Sequence, residues 1–173
     1  MTYLDPKKKW MKIFKPIYQC QDKDIDKQYR FGVRYFDMRI AFDKKGNAEF
    51  RHGLIAFKDA DPYKTIKWMN NYEGVIMRIV LERAKSKRDF TLFKMFCRAI
   101  QEECPNITFC CGEYKKTKEV IYDFGQNIPV IEMYGSVRGK GLKRIFPKLY
   151  AKRCNIELEW EYEKSNYLML DFI

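Results

Sequence analysis

GVRYFDMRIAF, residues 32–42, decides how this chain is read. Aromatic and β-branched side chains crowd the run and Gly32 punctuates its start, which predicts a strand over 33–42. Alternation puts Val33, Tyr35, Asp37 and Arg39 on one face, and Arg34, Phe36, Met38 and Ile40 on the other. Asp37 and Arg39 are then neighbours toward the C-terminal end of a strand, where parallel α/β folds build their sites. Arg offers a planar fork of donors and a neighbouring Asp can hold it, so the pair suits a phosphate. It reads equally as an ordinary ion pair on a solvated strand face.

Outward from this run, DKDIDKQYRF (22–31) reads as a polar helix leading into Gly32. DKKGN (43–47) is a turn, and EFRHGLIAF returns as a second extended segment. PYKTIKWMNNY (62–72) starts with Pro and has Ile66 and Met69 at helical spacing. VIMRIVLE (75–82) is a strand, and DFTLFKMFCRAIQEE (89–103) an amphipathic helix with Asp89 as its N-cap. NITFCC (106–111) is a strand, and TKEVIYDFG a short helix ended by Gly125. IPVIEMYG (128–135) and NYLMLDFI (166–173) are strands, while RIFPKLYAK is ambiguous. Strands alternating with helices predict an α/β fold with a mostly parallel sheet. There is no internal repeat and no linker, so residues 1–173 read as one domain. A (β/α)₈ barrel takes about 250 residues and at least about 200. The 173 here are short for one, so a TIM-type barrel would be either small and irregular or incomplete.

Composition narrows the function classes. With 34 Lys+Arg against 23 Asp+Glu, the net charge is 34 − 23 = +11, which favours acidic partners such as phosphates, anionic lipid or nucleic acid. At 46% hydrophobic and 16% aromatic residues the chain can bury a core, which excludes a disordered tail or a collagen-like repeat. The basic residues are scattered and no helix-turn-helix, RNP or zinc pattern occurs, so nucleic acid ranks last among partners. No apolar run is long enough for a transmembrane helix, and MTYLDPKKKWMKIF has no signal-peptide h-region. The six cysteines form no C-x-x-C pair, which argues for buried free thiols in a reducing compartment over a zinc site; an exported product would bring disulfides back.

The sequence holds one histidine, His52, so His₂ or His₃ metal sites and two-histidine chemistry cannot be built within one chain. His52 suits a general acid or base near neutral pH. A lone His is also commonly structural. Glu82 closes the strand 75–82 and shares a face with Arg78 and Val80. It reads as a site carboxylate or as a plain loop carboxylate. GSVRGKGLKR (135–144) is glycine-rich and basic but fits neither the P-loop nor the dinucleotide spacing; it reads as a plain surface loop in preference to a flexible basic loop near a membrane or phosphate.

Residues 19–53 resemble the phosphatidylinositol-specific phospholipase C X-domain family, in its bacterial branch. The likeness rests on Ile25, Gln28, the run Gly32, Val33, Arg34, Tyr35, Phe36, Asp37, Met38, Arg39, and the pair His52-Gly53 at family-like spacing. VIMRIVLE looks like the next family strand, and LMLDFI like the late strand carrying an Asp, here Asp171. The likeness is weaker between 84 and 165. It implies acid–base cleavage of a phosphodiester on a distorted TIM barrel, with a phospholipid substrate and an anionic membrane surface as partners. It implies His52 as the general acid, Arg39 as the group that stabilises the phosphoryl oxygens, and Asp37 beside it. Asp171 would orient the family's first His. Glu82 is the implied ligand if calcium is used, and Arg78 the basic residue toward substrate if no cofactor is.

The departure from the family is the absence of its T-H-D-S or T-H-N-S motif, which carries the first His. The reading drawn from it is that Met1 follows a lost motif, so that the first barrel strand and the general base are missing and hydrolysis is impaired. A longer form with that motif would also reopen the question of export. The second reading is a non-catalytic module that binds anionic lipid or phosphate on a decayed barrel. A related glycerophosphodiesterase fits less well, because Asp37-x-Arg39 is not its E-x-D pattern.

Overall fold

The run at 32–42 becomes β1, Tyr35–Phe42, in the computed structural model of the chain. The structure describes residues 4–19, 21–84, 86–110, 120–125, 131–132 and 168–169. Two compact units divide the chain: Arg34–Ile128, and Met1–Val33 with Pro129–Ile173. The latter holds a 3₁₀ helix at Lys9–Phe14, α1 at Lys15–Tyr18 and α2 at Ile25–Arg30. The Asp24 carboxylate caps α2 by accepting from the Lys27 N–H at 2.8 Å. Gly32, at φ 93, reverses the chain after α2, a conformation that favours glycine.

The Arg34–Ile128 unit carries the sheet. Asp43 accepts from the backbone N–H groups of Lys45 and Asn47 at 2.8 and 2.9 Å, which tightens the predicted turn and returns the chain as β2, Ala48–His52. A second tight turn at Gly53-Leu54 gives β3, Ile55–Ala56, so the extended segment read from the sequence is a hairpin. Gly53 has φ 58 and Leu54 no positive φ, the pattern of a type II′ turn. The helix α3, Pro62–Met69, is capped by Asp61, and leads to β4, Ile76–Leu81. The helix α4 spans Lys87–Glu103 and β5 spans Thr108–Cys110. The strand order is β3-β2-β1-β4-β5.

Three expectations need correction. The sheet is mixed rather than mostly parallel: β1, β4 and β5 run parallel, but β1–β2 and β2–β3 are antiparallel because short turns join them. Within TKEVIYDFG, Val120–Ile121 is a strand, β6, antiparallel to β4, and not part of a helix. Tyr122 and Phe124 then meet Phe93 and Phe109, so pairing to β4 and ring packing override the local helix reading. The N-cap of α4 is Ser86, not Asp89; Asp89 is the third helical residue, and its carboxylate accepts from the Ser86 N–H while Ser86 Oγ accepts from the Asp89 N–H.

Strands β1 to β6 form one sheet, which among the described residues is open, with β3 at one edge. On the other side β5 and β6 share the edge of β4. All six residues of β4 are buried, as expected of a central strand covered on both faces. Phe36, Met38 and Ile40 of β1 fill the apolar core with Ile66 and Met69 of α3 and Phe93, Phe96, Cys97 and Ile100 of α4. The Phe42 and Phe96 rings meet edge to face at 6.4 Å, which turns this strand face toward α4. The opposite face of β1 carries Asp37 and Arg39. Among the described residues Cys97, Cys104 and Cys110 are buried free thiols. In the Met1–Val33 and Pro129–Ile173 unit, β7 (Ile131–Glu132) and β8 (Leu168–Met169) pair in parallel. Asp171, RIFPKLYAK and the loop 135–144 lie outside the described residues.

Candidate functional site

Parallel pairing of β1 with β4 sets Asp37 opposite Arg78 and Arg39 opposite Val80. Side chains in register on adjacent parallel strands share a face, so Asp37, Arg39, Arg78 and Glu82 converge. Asp37 Oδ2 accepts from Arg39 Nε at 2.7 Å, and its Oδ1 from Arg78 Nε at 2.8 Å. Arg39 Nη1 donates to Glu82 Oε1 at 3.0 Å. Glu82 Oε2 accepts from the backbone N–H of Gly53, the residue after His52. Two carboxylates and two guanidinium groups thus form one network whose formal charges cancel.

Burial divides the roles of the two arginines. The Arg78 side chain is 0% exposed, while that of Arg39 is 14% exposed. Arg39 is therefore the more accessible of the two guanidinium groups, and Arg78 is fully buried against Asp37. Burial pushes the Asp37 carboxyl up, but the charges of Arg39 and Arg78, with their hydrogen bonds, outweigh it and hold its pKa at about 2. Tyr35, on the same strand face, accepts from the Cys110 thiol at 3.6 Å, and Cys110 pairs in register with Arg78. Burial, the largest influence, pushes the Tyr35 hydroxyl well above its ordinary value. Tyr35 stays protonated.

The structure brings Asp37, Arg39, Arg78 and Glu82 together directly. It joins half-buried His52 to them through the neighbouring Gly53 amide. Asp171 lies outside the described residues. Three features escaped the sequence reading: the Gly53–Glu82 bond, the Tyr35–Cys110 contact, and the Glu49–Arg51 pair at 2.9 Å on β2. Only the last had a local signal, since residues two apart on a strand share a face.

Calcium does not fit here. Both Glu82 oxygens already accept hydrogen bonds, both Asp37 oxygens face guanidinium groups, and no cluster of three His, Cys, Asp or Glu able to hold a metal occurs among the described residues. A groove lined in part by Asp61, Lys64 and Trp68 lies at the start of α3 and shares no residue with the network.

The fold is similar to that of two bacterial phosphatidylinositol-specific phospholipases C. The chain superposes on a histidine-to-tyrosine mutant of that enzyme from Staphylococcus aureus with a TM-score of 0.65 and 12% identity, over 99% of this chain and 82% of the other. It superposes on the enzyme from Listeria monocytogenes with a TM-score of 0.61 and 15% identity, over 99% and 85%. No family model matches the sequence, and no curated protein does. At these identities the likeness is one of fold. No helix among the described residues is long and apolar enough to cross a membrane.

Proposed function

We propose that this chain derives from phosphodiesterases of the phosphatidylinositol-specific phospholipase C type and binds a phospholipid headgroup at the β1–β4 face. One observation carries the reading: in a fold shared with two such enzymes, a partly exposed guanidinium, Arg39, is fixed between the carboxylates of Asp37, itself partly exposed, and buried Glu82. A guanidinium held in this way is preorganised for phosphoryl oxygens and needs little rearrangement when charge develops on them. Asp37 and Glu82 orient it, and Arg78 keeps Asp37 ionised. His52 is the general acid toward the leaving diacylglycerol oxygen. Asp171 is the carboxylate kept for the family's first His. The irregular barrel is the architecture that suits the sheet.

With one histidine in the chain, no second imidazole takes the proton of the inositol 2-hydroxyl, so impaired turnover is part of the proposal. The same observation favours a second reading, a headgroup- or phosphate-binding module without catalysis. A further partner is the anionic lipid surface. The 3₁₀ helix Lys9–Phe14 buries no residue and leaves Trp10 62% and Ile13 80% exposed, flanked by Lys7, Lys8, Lys9 and Lys12. Exposed aromatic and aliphatic side chains among lysines suit an anionic interface.

The experiment is headgroup release from phosphatidylinositol vesicles by this chain, by an N-terminally extended form, and by its His52→Ala and Arg39→Ala variants. Turnover that falls at least about a hundredfold in either variant supports the catalytic reading. Full activity in His52→Ala sinks the role of His52. Binding without turnover in every form selects the module.

A further inference from the structure

We propose that Glu82 is a positioning residue: its carboxylate joins the Arg39 guanidinium to the turn that carries His52, so the two are held as one unit. The backbone of Glu82 is fixed first. Its N–H donates to the Ile40 carbonyl at 2.8 Å, just past the last β1–β4 pair, and Arg83 then turns the chain away at φ 55. The side chain, 4% exposed, spends one oxygen on Arg39 Nη1 and the other on the Gly53 N–H. Gly53 is gripped from the other side too. Its carbonyl accepts from Arg51 Nε at 3.1 Å, and Arg51 Nη1 is anchored on Glu49 at 2.9 Å.

A two-residue turn usually leaves its polar groups to water. Here the N–H and C=O of one residue are both held by side chains of opposite charge, and one of these arrives from a different strand. Bonds to ionised groups are the stronger and shorter kind. Any shift of the carboxylate moves the acceptor of Gly53 and the clamp on Arg39 together. The two functional groups are coupled through a residue that itself touches no substrate. This consequence rests on the function proposed above, whereas the brace does not.

The test uses the full chain, isotope-labelled, with Glu82→Ala and Glu82→Gln. In Glu82→Ala the Gly53 amide exchanges with solvent faster by about tenfold or more, while the β1–β4 ladder amides keep their protection. The ring resonance of His52, unique because the chain has one histidine, shifts with it. Glu82→Gln retains an acceptor and restores Gly53 protection. If Glu82→Ala does not fold, Glu82→Asp, one methylene shorter, takes its place with the same expected loss. On phosphatidylinositol vesicles kcat falls in both variants, with KM within about twofold. Unchanged Gly53 exchange and an unmoved His52 resonance in Glu82→Ala overturn the proposal. So does a response of wild type to calcium chloride that Glu82→Gln abolishes, since Glu82 is then a metal ligand. A wild type that leaves the vesicles uncleaved counts against the catalytic reading alone, because exchange still decides on the brace.

Discussion

Asp37 is the residue on which the network turns, because each of its oxygens faces a different arginine. Its pKa of about 2 lies below the ordinary carboxyl value of 3.8. A carboxyl depressed on folding stabilises the native state above its unfolded pKa, and this stabilisation disappears as pH falls through the folded one. Asp37 therefore contributes about 2 kcal/mol at neutral pH, lost between about pH 4 and about pH 2. Asp37→Asn should cost about 3–5 kcal/mol, because it breaks the ion pair that Asp37 makes with fully buried Arg78. Urea midpoints measured against pH check both: the variant starts lower and loses less on acidification. A wild-type midpoint that is flat between these pH values counts against the ionised, paired Asp37. In the sequence, alternation alone paired Asp37 with Arg39 and Arg78 with Glu82. That both pairs share one face needed the register of two strands forty residues apart, as in Asp37 opposite Arg78, which no local pattern carries.

At the scale of elements, α4 shows what a local rule reads and what it misses. The apolar periodicity gave the helix, but Ser86-Lys87-Arg88-Asp89 holds a reciprocal capping pair whose more obvious acid, Asp89, is its inner member. Ser86→Ala should lower stability by about 1 kcal/mol, since the Asp89 N–H loses its side-chain acceptor while the helix still packs. Thermal unfolding of the variant checks it, and an unchanged midpoint would mean that the Asp89 carboxylate alone holds the helix start. The strand β6 failed for the opposite reason. The residues of TKEVIYDFG are indifferent between helix and strand, and only the free edge of β4 beside Val80 and Leu81 decides. The β1–β2 hairpin was legible because DKKGN supplies its own bonds: Asp43 accepts from Lys45 and Asn47, and Gly46 takes φ 94.

At the scale of the whole molecule, the proposed contact with an anionic surface rests on the excess charge of +11 and the exposed segment around Trp10. Binding to vesicles should rise with the anionic lipid fraction and weaken with salt, because lysine attraction is screened within a Debye length of about 8 Å at physiological ionic strength. Trp10→Ala with Ile13→Ala should weaken binding about tenfold or more even at high salt, since these side chains act through burial, not charge. Co-sedimentation with vesicles of graded anionic content measures both, and a double variant that binds as well as wild type excludes this segment from the interface. The α/β class was legible because the strands carry their own patterns, whereas the mixed direction of the sheet was set by loop lengths. The buried cysteines have a practical consequence. Cys97 on α4, Cys104 just after it and Cys110 on β5 stand in one core, and desolvation pushes the Cys97 and Cys104 thiols up from their ordinary values. A thiol reagent reaches them only when that core opens, so the rate at which each is alkylated is a clock for local opening against global unfolding. That clock runs without a substrate, a label or an assay for catalysis.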